Sequence, residues 1–172
     1  ADTQARQSVR QPLVGLRRVF GKADGLVVDS DTVAVDPLRV DVDVTRFEHL
    51  VADGSRPRLE QAAALYRGDL LEGFEVKAPA FEDWLLTERE RLRELARKAL
   101  AKLLAHQTRM GSSEVTLHTA RRLLTLDPLR EDVHRALMRL YVAQGQRATA
   151  LRQYQSCVGV LRRELGVEPE AA

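Results

Sequence analysis

Between residues 97 and 163 the pattern of apolar and polar positions occurs twice, with a spacing of 34 residues. Gly111 and Gly145 stand at this spacing, and each follows an apolar-periodic segment of helical length. Seven further pairs recur on the same register: Leu103 and Leu137, Leu104 and Met138, Gln107 and Tyr141, Leu117 and Leu151, Ala120 and Tyr154, Leu123 and Cys157, and Leu124 and Val158. The pattern therefore predicts two copies of one helical hairpin, with the recurring positions turned towards a shared core.

A helix-turn-helix unit of this length is the period of tetratricopeptide repeats, in which the first helices line a concave groove. On this register the groove would carry Lys98, Arg109, Arg135 and Arg139. We expect these side chains to make it mainly cationic and suited to an acidic peptide or to docking of another part of the chain. The alternative is that two units form only a shallow groove, in which the charges are simply hydrated.

The same periodicity predicts the other helices of a mainly α fold. Phe47, Leu50 and Val51 stand at helical spacing, and Gly54 should end their helix. Before them Val40, Val42 and Val44 alternate with aspartates, which predicts a strand or an extended linker. The later predicted helices are 57–66, 80–109, 114–126, 129–144 and 146–165.

The first forty residues combine a predicted helix with a predicted β-hairpin. The apolar positions of residues 5–20 fall on one helical stripe that we expect to be buried: Val9, Leu13, Leu16 and Phe20. Pro12 should either start this helix or bend it, because proline lacks the backbone donor. Leu26–Val28 and Thr32–Val35 are β-rich segments around the short polar turn Asp29, Ser30 and Asp31.

Four arginines stand around the rest of this first helix: Arg6, Arg10, Arg17 and Arg18. Such long donors can reach phosphates and, in a major groove, base edges. The alternative interpretation is that these arginines form a hydrated helix face. Residues 1–22 carry a net charge of +4, residues 23–54 carry −6, and the whole chain carries +2. This asymmetry predicts that a polyanion such as DNA is met at the start of the chain.

Composition narrows the class of protein. Charged residues make up 30% of the chain and interrupt every apolar run before it reaches the length of a membrane span. No signal peptide is recognisable in the first residues. Cys157 is the lone cysteine, so an internal disulfide is excluded and a reducing cytoplasm is the expected location.

Catalytic and metal-binding motifs are not recognisable, so we expect no enzyme, no metal and no cofactor. The four histidines are scattered over four predicted helices without carboxylate or cysteine partners at ligand spacing. Phosphate-binding loops, dinucleotide fingerprints and nucleophile elbows are missing from the sequence. Trp84 and Tyr154 are interpreted as core aromatics rather than as stacking platforms.

Five separated motifs carry a family resemblance: DVDVTRFEHL at 41–50, YRGDLLEGFE at 66–75, FEDWLLTERERLREL at 81–95, LDPLREDVHRALMRLYVAQGQRATALRQY at 126–154, and LRRELGVEPE at 161–170. Together they resemble the bacterial transcriptional activator domain of SARP-type antibiotic regulators. The first forty residues resemble the end of the OmpR-like winged-helix domain that precedes this module in the family.

The resemblance implies a division of the chain and a role for its first arginines. Residues 1–40 would be the C-terminal part of the winged-helix domain, 41–168 the activator domain, and 169–172 the start of a linker. Residues 3–20 would then be the recognition helix and 26–36 the wing. Arg6, Arg10, Arg17 and Arg18 would contact DNA, whereas the acidic wing tip is given no such role.

The sequence therefore supports one leading function and one from a different class. The first is a regulatory module of a bacterial transcription factor, which mediates dimerisation or protein-partner docking and positions a DNA-binding winged helix. The second is a tetratricopeptide-like scaffold that binds only protein within a larger signalling protein. An accessory domain of an enzyme is a distant third. No membrane or small-molecule substrate is expected as a partner.

Overall fold

The computed structural model describes residues 2–20, 25–29, 32–111 and 114–170, and of residues 2–10 it describes the backbone alone. The chain divides into unit 1, Ala1–Arg46, and unit 2, Phe47–Ala172. Within the described ranges the chain is mainly helical, with one short β-hairpin near its start. The predicted fold class is confirmed.

Unit 1 holds a helix followed by the β-hairpin. Helix α1 spans Asp2–Phe20, strand β1 spans Leu26–Val28 and strand β2 spans Val33–Val35. The strands are antiparallel, with Leu26 opposite Val35 and Val28 opposite Val33, as the two β-rich segments predict. Of the predicted turn, Ser30 and Asp31 lie outside the described residues.

The predicted buried stripe of α1 is wrong at one position and only partial at two. Leu16 is exposed, Leu13 and Phe20 are half-buried, and the side chain of Val9 lies outside the description. The reason is that Gly25 and Leu26 are the only buried residues among those described in unit 1, which is too little to cover a helix of 19 residues. Helix α1 also continues through Pro12 instead of starting there.

Six helices make up the rest of the chain, and their bounds follow the predicted ones within two residues where both ends were predicted. They are α2 Asp43–Asp53, α3 Arg56–Leu65, α4 Pro79–Met110, α5 Glu114–Leu126, α6 Glu131–Ala143 and α7 Arg147–Leu165. The predicted extended segment is wrong at its end, because Val44 lies inside α2. The Asp43 carboxylate accepts a hydrogen bond from the Val44 amide at 2.8 Å, and an acidic residue favours the first turn of a helix.

Helices of unit 2 that follow one another in sequence pack on one another. Helix α3 packs on α4, α4 on α5, α5 on α6 and α6 on α7. One core cluster joins the helices α4, α5, α6 and α7 through ten buried side chains: Leu100, Leu104, Leu117, Ala120, Leu123, Val133, Leu137, Leu140, Tyr141 and Ala150. Burial of this shared face is the main stabilising term, because short isolated helices are marginal in water.

The two repeat glycines occupy equivalent corners, each after the first helix of a hairpin and each with a positive φ. Gly111 has φ +111° directly after α4, and Gly145 has φ +75° just after α6. Around Gly145 the Gly145 amide donates to Val142 O at 2.9 Å and the Gln146 amide to Tyr141 O at 2.8 Å. This is the Schellman helix end, which favours glycine because a side chain there is strained.

Burial does not follow the repeat register throughout, which corrects the prediction that all recurring positions face the core. On α5, Leu117 is 5% exposed and Ala120 is 0% exposed. Their register partners on α7, Leu151 and Tyr154, are 65% and 49% exposed. The difference arises because α5 packs on both α4 and α6, whereas within unit 2 the helix packed against α7 is α6.

The corner at Gly145 gives the first prediction. Gly145→Ala should lower the free energy of unfolding by about 1–2 kcal/mol, since a β-carbon disfavours the left-handed region. Gly159→Ala is the matched control, because Gly159 is inside α7 and an added β-carbon there meets no atom within 4 Å. That variant should gain up to about 1 kcal/mol from the better helix propensity of alanine. Urea unfolding measures both, and a loss of equal size at the two positions would contradict the prediction.

The unequal burial of register partners gives the second prediction. Leu117→Ala should cost about 2–5 kcal/mol of unfolding free energy, as expected for a buried leucine. Leu151→Ala changes the same residue type at the same repeat position and should cost no more than about 0.5 kcal/mol, because this side chain is exposed. Thermal or urea unfolding of the two variants measures the difference. Equal costs would mean that Leu151 is covered in solution.

Candidate protein-binding surfaces

The predicted DNA-contacting arginines all lie within α1. The spacing of Arg6, Arg10 and Arg17 brings their backbone positions to one side of an α-helix, while Arg18 lies further round. Arg17 and Arg18 are exposed in the last turn of the helix. The side chains of Arg6 and Arg10 lie outside the description. The described geometry is therefore that of a basic helix followed by a hairpin.

The four residues predicted to line a cationic groove lie on two helices that flank α5. Lys98 on α4 forms an ion pair with Glu94 at 3.3 Å, and Arg109 contacts Nδ1 of His106 at 2.9 Å. On α6, Arg135 is half-buried and Arg139 is exposed. Among the described residues no contact links the two cationic residues of α4 to the two of α6, so the two pairs are separate.

The segment 66–75 is held on α4 by two arginines that the sequence analysis did not single out. Arg93 forms a two-pronged ion pair with Asp69, with Nε of the arginine 2.8 Å from Oδ1. The hydrogen bond from Arg93 lowers the pKa of Asp69, and the same contact raises the pKa of Arg93. Arg89 donates to the carbonyl oxygens of Leu70 and Leu71 at 2.8 Å each. These contacts fix a loop that has no regular secondary structure.

A third arginine ties the end of α3 to α5. Arg122 donates to Ala63 O and to Tyr66 O at 2.8 Å each, more than fifty residues away in sequence. The Ala63 carbonyl belongs to the last turn of α3 and the Tyr66 carbonyl to the residue that follows it, where no amide of the helix can reach them. Partial burial raises the pKa of the Tyr66 hydroxyl. In the sequence Arg122 is only an arginine between buried helical positions, and the apolar periodicity predicts a hydrated side chain there.

Arg93 and Arg122, together with Arg97, line a cleft of about 530 Å³. Arg93 is paired with Asp69, Arg97 is paired with Glu90 at 2.6 Å, and Arg122 is bound to the carbonyls of α3. Their donors therefore hold the protein together and are not directed towards a ligand. The other residues around the cleft are Tyr66, Arg67, Gly68, Glu72, Thr125 and Leu126.

An exposed aromatic cluster stands at the start of α4. The rings of Phe74 and Phe81 are 6.1 Å apart between centroids, and those of Phe81 and Trp84 are 5.4 Å apart. Trp84 is 49% exposed, so its interpretation as a core residue is wrong. The side chain lies along the outer face of the first turns of α4. Large half-exposed aromatics of this kind are enriched where proteins bind one another.

Tyr154 is the second aromatic residue that the structure moves out of the core. It is half-exposed on α7, next to the exposed Leu151 and one turn before the half-buried Val158. The earlier interpretation followed the repeat register, on which Tyr154 matches the fully buried Ala120. The outer face of α7 is therefore a second exposed apolar surface, separate from the aromatic cluster.

His134 and Cys157 have structural roles. His134 is buried and its two ring nitrogens contact Pro128 O at 3.0 Å and Gln153 Nε2 at 2.6 Å. The Cys157 thiol is buried, which raises its pKa. A search of the described residues finds no group of three or more side chains that could hold a metal ion. The same residues contain no helix that is both long and apolar enough to span a membrane.

Comparison with known proteins gives one assignment. The bacterial transcriptional activator domain family matches residues 42–172, which is about three quarters of the chain and includes all the helices from α2 to α7. No curated protein matches the chain significantly. The matched family is a regulatory one and not a family of enzymes. The chain belongs to the family of bacterial transcriptional activator domains.

Proposed function

We propose that this chain is the regulatory module of a bacterial transcription factor, in which the helical scaffold mediates dimerisation or docks a protein partner and positions a DNA-binding winged helix. The observation that carries the proposal is an order of elements: a basic helix and a β-hairpin come directly before the matched activator domain. A recognition helix followed by a β-hairpin, the wing, is the order of elements at the end of a winged-helix domain.

The DNA-binding part of the proposal rests on unit 1. Its helix α1 carries Arg6, Arg10, Arg17 and Arg18, and a basic helix of this kind can lie in a major groove with its arginines on phosphates and base edges. We assign residues 1–40 to the distal part of a winged-helix domain, 41–168 to the activator domain and 169–172 to the start of a linker. Bacterial promoters are in the cytoplasm, where we expect the protein to act.

The protein-docking part rests on unit 2. The arginines that line its polar cleft are engaged in internal contacts, and we take the exposed aromatic cluster and the outer face of α7 as the surfaces for a partner. Lys98, Arg109, Arg135 and Arg139 add positive charge to the first helices of the two hairpins and suit an acidic partner. Pairing two copies would also raise the effective concentration of the second DNA half-site.

The third prediction concerns DNA. The chain extended by the residues encoded upstream of Ala1 should bind duplex DNA at low salt, and its affinity should fall with a log-log slope of about 0.9 for each phosphate contact. Arg6→Glu with Arg10→Glu, and separately Arg17→Glu with Arg18→Glu, should each lower the affinity about tenfold or more, because reversed charges repel phosphate. Fluorescence anisotropy of a labelled duplex measures both quantities.

The control for this prediction reverses two exposed arginines of unit 2. Arg58→Glu with Arg67→Glu changes the net charge by the same amount and should leave the affinity within about twofold at physiological salt, where charges more than ~8 Å from the DNA are screened. If the extended protein binds no DNA at low salt, the DNA-binding part of the proposal is wrong. The chain would then be a scaffold that binds protein alone.

A further inference from the structure

One apolar stripe of the scaffold is not covered by another helix of unit 2. It consists of Leu151, Tyr154, Val158 and Leu165, which follow one another at helical spacing along α7 and are called the α7 stripe. Three of them are exposed and Val158 is half-buried. Exposed apolar residues scattered singly are ordinary on protein surfaces, but a continuous stripe on one helix marks a binding surface.

The first hairpin shows what normally covers this position. The register partners of Leu151 and Tyr154 are Leu117 and Ala120, which are buried in the core cluster. Both α5 and α7 bury the side that faces the preceding helix of their own hairpin. Helix α5 also buries the neighbouring sector of its surface, which contains Leu117 and Ala120, because α6 packs on it. The α7 stripe is the same sector without its covering helix.

The covering helix in the first hairpin has a definite character. Helix α6 is amphipathic and buries Val133, Leu137 and Leu140 in the core cluster. It begins with two acidic residues, Glu131 and Asp132. A helix that covered the α7 stripe in the same way would present a similar apolar stripe. It would pack on α7 as α6 packs on α5, because neighbouring units of a repeat array use the same interface.

Charge decides which kind of helix fits. Helix α7 contains four arginines and one glutamate, a net charge of +3, and two of these arginines, Arg162 and Arg163, are paired with Glu168 and Glu164. Arg147 stands one turn before Leu151, and no described residue forms an ion pair with it. A second copy of the chain would bring two such basic helices together, and like charges oppose their pairing. An acidic helix would gain from the same charges.

We propose that the α7 stripe is the docking site for an amphipathic helix of a separate partner protein, with an apolar stripe like that of α6 and acidic flanks. The proposal rests on the partner-docking part of the proposed function and names its surface and its partner class. The partner helix seats its apolar side chains on Leu151, Tyr154 and Val158, and its carboxylates lie near Arg147.

The test uses the whole chain and a helical peptide with the sequence of residues 130–145, carrying R135E and R139E. These two positions are opposite the apolar stripe of α6, so the changes make the peptide acidic without altering the stripe. A staple on the polar face keeps the isolated peptide helical. Fluorescence anisotropy should show binding, tighter for the acidic peptide than for a stapled peptide with the unchanged sequence.

The variant that tests the surface is Leu151→Ala with Tyr154→Ala. Both side chains are exposed, so the fold should be retained, which circular dichroism checks. We expect affinity for the acidic peptide to fall about tenfold or more, since aromatic and large apolar anchors dominate such contacts. The matched control is Leu38→Ala with Leu86→Ala, two exposed leucines elsewhere, and should leave the affinity unchanged.

Three results would overturn the proposal. They are no binding of either peptide at millimolar concentration, equal binding by the α7 variant, and a wild-type dimer that the α7 variant dissociates in light scattering. The last would make a second copy the occupant. Arg6→Glu with Arg10→Glu serves to separate the two proposals, because in the chain extended upstream of Ala1 it should lower the affinity for DNA about tenfold or more and leave peptide binding intact. Loss of peptide binding alone would refute only the docking site.

Discussion

The structure of unit 2 depends on one constraint, the burial of α5 between two neighbours. A helix of 13 residues has little stability of its own in water, and most of what it has must come from packing. Helix α5 buries Thr116, Leu117, Ala120 and Leu123 against the helices before and after it. The two hairpins therefore form one continuous core, and neither can be removed without exposing the apolar face of the other.

That constraint also explains the distribution of arginines in unit 2. Once the helices are stacked, the loop at 66–75 and the end of α3 must be held to them, and their backbone carbonyls need donors. Arg89, Arg93 and Arg122 supply these donors from α4 and α5. The segment 66–75 is thus an attachment point on the helical scaffold.

Membership of the transcriptional activator domain family fits a scaffold of this kind. We propose that the domain acts through the surfaces that it presents. Here those surfaces are the exposed rings beside Trp84 and the stripe along α7. Phe81, Trp84 and the members of the α7 stripe lie on helices, so little backbone entropy is lost when a partner covers them. The basic helix α1 supplies a surface of a different chemistry.

The sequence by itself determined the class of fold, the family, and most helix bounds, because periodicity, glycine corners and turn residues are local signals. Gly145 ends α6 in the expected way, and the β-hairpin forms where two β-rich segments flank a polar turn. Only the tertiary structure decided which apolar positions are covered. Leu117 and Leu151 have the same residue type and register, yet one is buried and the other exposed, because coverage depends on whether a further helix packs there.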